Sequence, residues 1–121
     1  MSIKGLSTLF LGACISMLMT GCGSDAPEIN SAVILQNAKS LMPADAELAE
    51  VYGRSCISCH AVADTVAPLT GDRQSWEPRM AQGMDVLIDH VIDGYGGMPP
   101  LGLCMECEPE QFRALIEFMA Q

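Results

Sequence analysis

Along the last third of the chain, apolar residues recur three and four positions apart. Phe112, Leu115, Ile116 and Met119 form one such stripe and predict a helix over Pro109 to Ala120 with that face buried. Met80, Met84, Leu87, Ile88 and Val91 form a second stripe, which predicts one middle helix from about Trp76 to Ile92. Upstream, Pro43-Ala44-Asp45-Ala46-Glu47 reads as a helix start, with proline and acids in the first turn. That helix carries Leu48, Val51 and Tyr52 inward and ends near Cys56. Ile34, Ala38, Leu41 and Met42 mark a short amphipathic helix within Ser31 to Met42. Between these elements, Ala61 to Gln74 and Gly94-Tyr95-Gly96-Gly97-Met98-Pro99-Pro100 read as loops. No strand alternation and no internal repeat stands out, so the fold class is all-α.

The amino terminus has a different pattern. Lys4 precedes an uncharged stretch from Gly5 to Met19 that is apolar but too short to span a bilayer, which takes about 20 apolar residues. A basic start, a short apolar run and then small residues is the form of a secretory signal peptide. Met19-Thr20-Gly21-Cys22 resembles a bacterial lipobox, and that resemblance implies cleavage before Cys22 and lipid on its sulfur and amino nitrogen. Several acyl chains are what lasting membrane attachment requires. The expected organisation is therefore a lipoprotein signal at 1–21, a lipidated Cys22 with a tether at 22–42, and a folded domain at 43–121. A disordered tether from Gly23 to Met42 has an r.m.s. reach of about 25 Å.

Composition narrows the function. The 121 residues carry a formal net charge of −9, with only six Lys and Arg, which excludes nucleic acid as a partner. Aromatic residues make up 5% of the chain, so the domain has little of its own from which to build a core. A buried porphyrin would change that balance, since roughly 400 Å² of apolar face contributes about 10 kcal/mol. Six cysteines in so short a chain also call for a chemical role.

Two of the cysteines have one. Cys56-Ile57-Ser58-Cys59-His60 is the c-type haem attachment sequence, in which both thiols add to haem vinyl groups and the adjacent imidazole is held at the iron. A thioredoxin-like pair and half of a zinc site are the competing readings. Export disfavours zinc because free thiols oxidise outside the cytoplasm, and a motif at a helix end rather than after a strand disfavours thioredoxin. Met98 lies in a glycine-rich loop closed by two prolines, where a soft thioether can fill the sixth iron position. Met80, Met84 and Met119 are read as core. Cys104 and Cys107 remain as an exported pair, for which a disulfide is expected, with free thiols or a labile redox switch as alternatives. His90, beside Asp89 and Asp93, is read as part of a solvated helix face rather than a metal site, and Glu106, Glu108 and Glu110 as a helix-capping cluster.

Taken together, Tyr52, the Cys56–His60 segment, Ala67-Pro68, Gly71-Asp72, Trp76, Arg79, Gly83, Leu87, Gly94, Met98-Pro99-Pro100 and Cys104-Met105-Glu106-Cys107 resemble the cytochrome c5 family, a branch of the single-haem class I cytochromes c. The resemblance runs from about Pro43 to Gln121. It implies a small fold of three to five helices around one haem c held by Cys56 and Cys59. It further implies axial His60 and Met98, a Cys104–Cys107 disulfide, a Pro68 carbonyl accepting from the His60 ring, and Trp76 and Arg79 near a propionate. Leu101 stands where the family commonly has Lys, so the haem-edge face is expected to be apolar and acidic.

The function expected is that of a single-electron carrier, not an enzyme, tethered on the periplasmic side of a bacterial membrane. Its partners would be redox proteins in or near that membrane. A haem subunit held permanently by one oxidoreductase is the alternative, and a haem-based gas or redox sensor is a second.

Overall fold

The computed structural model describes residues 31–121; the signal, lipobox and Cys22 readings lie outside the described residues. Helix α1 spans Ser31–Ser40 and α2 spans Ala46–Val51. A π-helical turn, Tyr52–Cys56, continues directly into α3, Ile57–His60. Then come α4 (Arg73–Met80), α5 (Met84–Asp93), a 3₁₀ turn (Pro100–Leu103) and α6 (Pro109–Met119). Among the described residues there is no strand, only one isolated bridge between Tyr95 and Met98. The all-α expectation holds.

Local chemistry sets the helix ends. Asp45 caps α2, its carboxylate accepting from the Leu48 N–H at 2.9 Å. Glu108 and Gln111 form a reciprocal capping box at the start of α6, with Pro109 in the first turn. The turn between α2 and α3 is wider than an α-turn: the Ile57 N–H reaches the carbonyl of Tyr52, five residues back. One extra residue offsets every later side chain by about 100° around the helix axis.

Two expectations need correction. The predicted single helix from Trp76 to Ile92 is two helices, broken at Gly83, whose φ of 97° lies where a glycine is favoured. The apolar stripe runs through the break because α4 and α5 both feed the same core, with Met80 and Met84 packed at its edge. The folded body also begins earlier than Pro43. Ala38 is fully buried, and Leu41 Cδ1 would stand 2.9 Å from a Cβ added to Gly71, so α1 belongs to the domain and not to the tether.

The core gathers Val51 and Tyr52 from the first helical run, Trp76 from α4, Leu87, Ile88 and Val91 from α5, and Phe112, Leu115, Ile116 and Met119 from α6. Both amphipathic stripes thus bury the faces their spacing predicts. Tyr52 is the junction: it is wholly buried, its ring meets Phe118 edge-on at 5.0 Å, and its hydroxyl bonds Thr70 Oγ1 at 2.9 Å. The loop containing Thr70 is tied down on both sides. The Thr70 N–H donates to the His60 carbonyl and the Gly71 N–H to the Met119 carbonyl, each at 2.8 Å.

Replacing Tyr52 by Phe keeps the ring and removes this buried bond. The expected cost is about 1–3 kcal/mol, because Thr70 Oγ1 loses that partner in a place water does not reach. Guanidinium unfolding of the haem-loaded protein should show a lower midpoint with an unchanged slope.

Candidate haem site

The attachment segment lies at the end of the first helical run. Cys56 is half-buried and Cys59 exposed, and neither is in a disulfide. Burial pushes the Cys56 thiol up to about 11, so it stays protonated at neutral pH. His60, one turn on, is buried. Its Nδ1 lies 2.8 Å from the Pro68 carbonyl oxygen. A carbonyl only accepts, so Nδ1 carries the proton and Nε2 is left with its lone pair free. Burial also lowers the pKa of His60, the Pro68 bond opposing that shift in part.

The next carbonyl along supports the same ring from behind. Trp76 Nε1 donates to the Leu69 carbonyl at 2.9 Å, and its indole stacks on His60 with centroids 5.9 Å apart and planes 26° apart. Consecutive carbonyls of one dipeptide therefore fix both rings. Trp76, expected near a propionate, has its one N–H on the Leu69 carbonyl and its ring against His60. Arg79 donates to the Ser75 carbonyl within α4 and keeps its other guanidinium donors.

Met98 arrives from the opposite part of the chain. Its backbone exchanges two hydrogen bonds with Tyr95, at 2.9 and 3.2 Å. Gly94, at φ +82°, lies so close that an added Cβ would meet the Met98 carbonyl oxygen at 2.9 Å. Gly102 gives room at the other end, where a Cβ would stand 3.0 Å from Met98 Cε. The Met98 side chain and Cys56 line one apolar crevice together with Val91, Leu101, Phe112 and Leu115. His60, Pro68, Trp76 and Arg79 are not among its lining residues.

Cys104 and Cys107 are joined in a disulfide with their Cα atoms 5.4 Å apart. Both are buried in the core. Cys104 borders the apolar crevice, whereas Cys107 borders an outer groove of about 290 Å³ lined by Glu47, Glu50, Arg54, Glu106 and Gln111. The bond is thus part of the partition between crevice and solvent. The loop it closes is short, so the chain-entropy contribution is only about 2 kcal/mol. Arg54, which the sequence reading passed over, crosses the same wall. Its guanidinium approaches Cys104 Sγ at 3.7 Å and pairs with Glu106. A lone cation two residues before Cys56, in a chain with few, is the signal that was there to find.

Comparison with known proteins places this arrangement. Residues 34–119 match the family model described as cytochrome c oxidase, cbb3-type, subunit III. The cytochrome c5 of Ectopseudomonas mendocina is 30% identical over 73 residues, 59% of this chain and 84% of that protein. The cytochrome c5 of Azotobacter vinelandii is 32% identical over 73 residues, with 59% and 88% covered. The chain belongs to the class I c-type cytochromes. A cytochrome c-555 from Chlorobaculum tepidum is 46% identical over 46 residues, 38% of this chain and 43% of that one. In a solved structure described as the electron transfer complex of nitrite reductase with cytochrome c, a chain 36% identical superposes with a TM-score of 0.55. That match covers 64% of this chain and 98% of the other.

The cytochrome binds haem c, and the donor set suits it. Cys56, Cys59 and His60 form the attachment segment, and the lone pair on His60 Nε2 is the kind of donor iron takes. The crevice that Cys56 borders is apolar, as a porphyrin face requires.

The partition carries a pH dependence. Glu106 is held below its usual 4.5, first by its own backbone N–H and then by Arg54. A depressed carboxylate contributes stability that is fully present above the unfolded-state value and is lost as pH falls through the folded one. The stability difference between wild type and Glu106→Gln should therefore be constant at neutral pH and shrink toward zero as pH drops below about 4.5. Because Glu106 is exposed, the difference should also diminish with added salt.

Proposed function

We propose that this cytochrome is a lipid-anchored periplasmic electron shuttle in which His60 and Met98 are the two axial ligands. The observation that carries this reading is that Met98 and the attachment residue Cys56 face one apolar crevice, while His60 is held with Nε2 free. Haem supplies a one-electron ferric–ferrous couple when bound. The chain's own residues do the rest. Cys56 and Cys59 fix the ring by thioether bonds, the Pro68 carbonyl keeps the His60 proton on Nδ1, and Trp76 stops the imidazole from tilting away. With haem bound, the Met98 thioether would hold the sixth position, favour the ferrous state and leave no open site for oxygen or substrate. Arg79 retains donors with which to meet a propionate.

The reading on location rests on sequence. Met19-Thr20-Gly21-Cys22 after an apolar run of signal length supports export and lipidation at Cys22. Redox partners in or near the membrane fit a carrier with so little chain between anchor and domain. The related chain in a nitrite reductase complex supports respiratory oxidoreductases as the partner class. A second reading, a haem subunit held permanently by one such enzyme, is favoured by Tyr95 (63% exposed), Leu103 (63%) and Met105 (73%), apolar side chains left uncovered near the Met98 loop.

Spectra of the matured protein test the ligand set. Wild type should be low-spin, with the weak far-red Met–iron band when oxidised and no change under carbon monoxide when reduced. Met98→Ala should lose that band and bind carbon monoxide. A wild-type spectrum that is high-spin and shifts with carbon monoxide would sink the carrier reading in favour of a sensor.

Fractionation tests the anchor. Wild type should sediment with membranes and incorporate labelled fatty acid, whereas Cys22→Ser should do neither. Equal partition of the two proteins would overturn lipidation at Cys22.

A further inference from the structure

Tyr95 is an exposed tyrosine in a defined place. With 63% of its surface accessible, it gains little from burial, yet its ring lies over that of His90 at a centroid distance of 4.0 Å and an interplanar angle of 19°. His90 belongs to α5, whose Leu87, Ile88 and Val91 are locked into the core, so its imidazole is a half-buried platform on a rigid rod. The Tyr95 backbone in turn holds that of Met98 through both hydrogen bonds of the isolated bridge. Between platform and bridge lies Gly94, pressed against the Met98 carbonyl and the ring of Pro100, which fixes the turn but brings no side chain to it. The stack thus ties the core helix to residue 95, and residue 95 ties down residue 98.

We infer that His90 and Tyr95 are positioning residues for the Met98 sulfur: their ring stack holds the loop in the geometry that keeps the thioether at the iron. This rests on Met98 being the axial ligand. It follows that the stack works as a unit, that the tyrosine ring and not its hydroxyl matters, and that its loss loosens the sixth ligand without unfolding the domain.

The competing ligand to use is imidazole, titrated into the oxidised, haem-loaded protein while the shift of the Soret band is followed, a readout that every variant retains. Since an aromatic pair contributes about a fivefold factor in an equilibrium constant, His90→Ala and Tyr95→Ala should each bind imidazole about fivefold more tightly than wild type. The double variant should go no further than either single change. Tyr95→Phe should match wild type, and the helical melting midpoint should stay in place throughout. Met98→Ala, measured alongside, should bind imidazole more tightly than any of these. If His90→Ala and Tyr95→Ala bind imidazole as wild type does while Met98→Ala binds more tightly, the stack plays no part in positioning. The inference also fails if only one of the two alanine variants responds, or if affinity rises only in step with a falling melting midpoint. Should Met98→Ala bind no more tightly than wild type, it is the assignment of Met98 as ligand that falls.

Discussion

The hydrogen bond from the His60 ring to the Pro68 carbonyl is the constraint around which the domain is arranged. It fixes which imidazole nitrogen is free, and it needs the loop after His60 to return to a definite place. The Tyr52 hydroxyl on Thr70, the Thr70 N–H on the His60 carbonyl and the Gly71 N–H on the end of α6 all serve that return. Each lies within two or three residues of Pro68, and together they join the helical run that ends in α3 to α6 through one short stretch of backbone. Stability and ligand geometry are the same set of contacts on this side of the molecule.

The opposite side is built on different terms. The Met98 loop is held by glycines that permit close backbone approach, by a two-residue bridge and by a disulfide that closes the wall beyond it. Few side chains are buried there, and Leu103 and Met105 stand in solvent. The two regions are thus held by different means, one by buried hydrogen bonds and the other by close backbone approach and a covalent bridge. The chain's acidity is not needed for either, and its described cations are few enough that Arg54 and Arg113 are each committed to one partner carboxylate.

Much of this was legible beforehand. The α5 and α6 stripes were readable because each buries one face against the same core, and burial of one face is what periodicity records. The Cys56–His60 motif was readable because thiol spacing and the adjacent imidazole are covalent chemistry, independent of packing. Three features were not. The break at Gly83 hid inside a continuous apolar stripe, since hydrophobic spacing reports which side is buried and not whether the backbone turns. The spacing of Ile34, Ala38 and Leu41 marked α1 as a helix, but a pattern so short does not say what that face packs against. Arg54 looked like any solvated charge, because only the fold brings it against a sulfur fifty positions later.

The wide turn at Tyr52–Cys56 makes the helix count residues. Tyr52 must face Thr70, while Cys56 must border the crevice and the segment after it must carry His60 back toward Pro68. An unbroken α-helix of the same sequence would swing one of these faces aside by about a hundred degrees. The winding of the stretch between Tyr52 and Cys56, and not its length alone, is therefore what aims the segment that follows. Deleting the one residue that the wide turn takes up, with an α-turn in its place, would keep Tyr52 and His60 on their two faces.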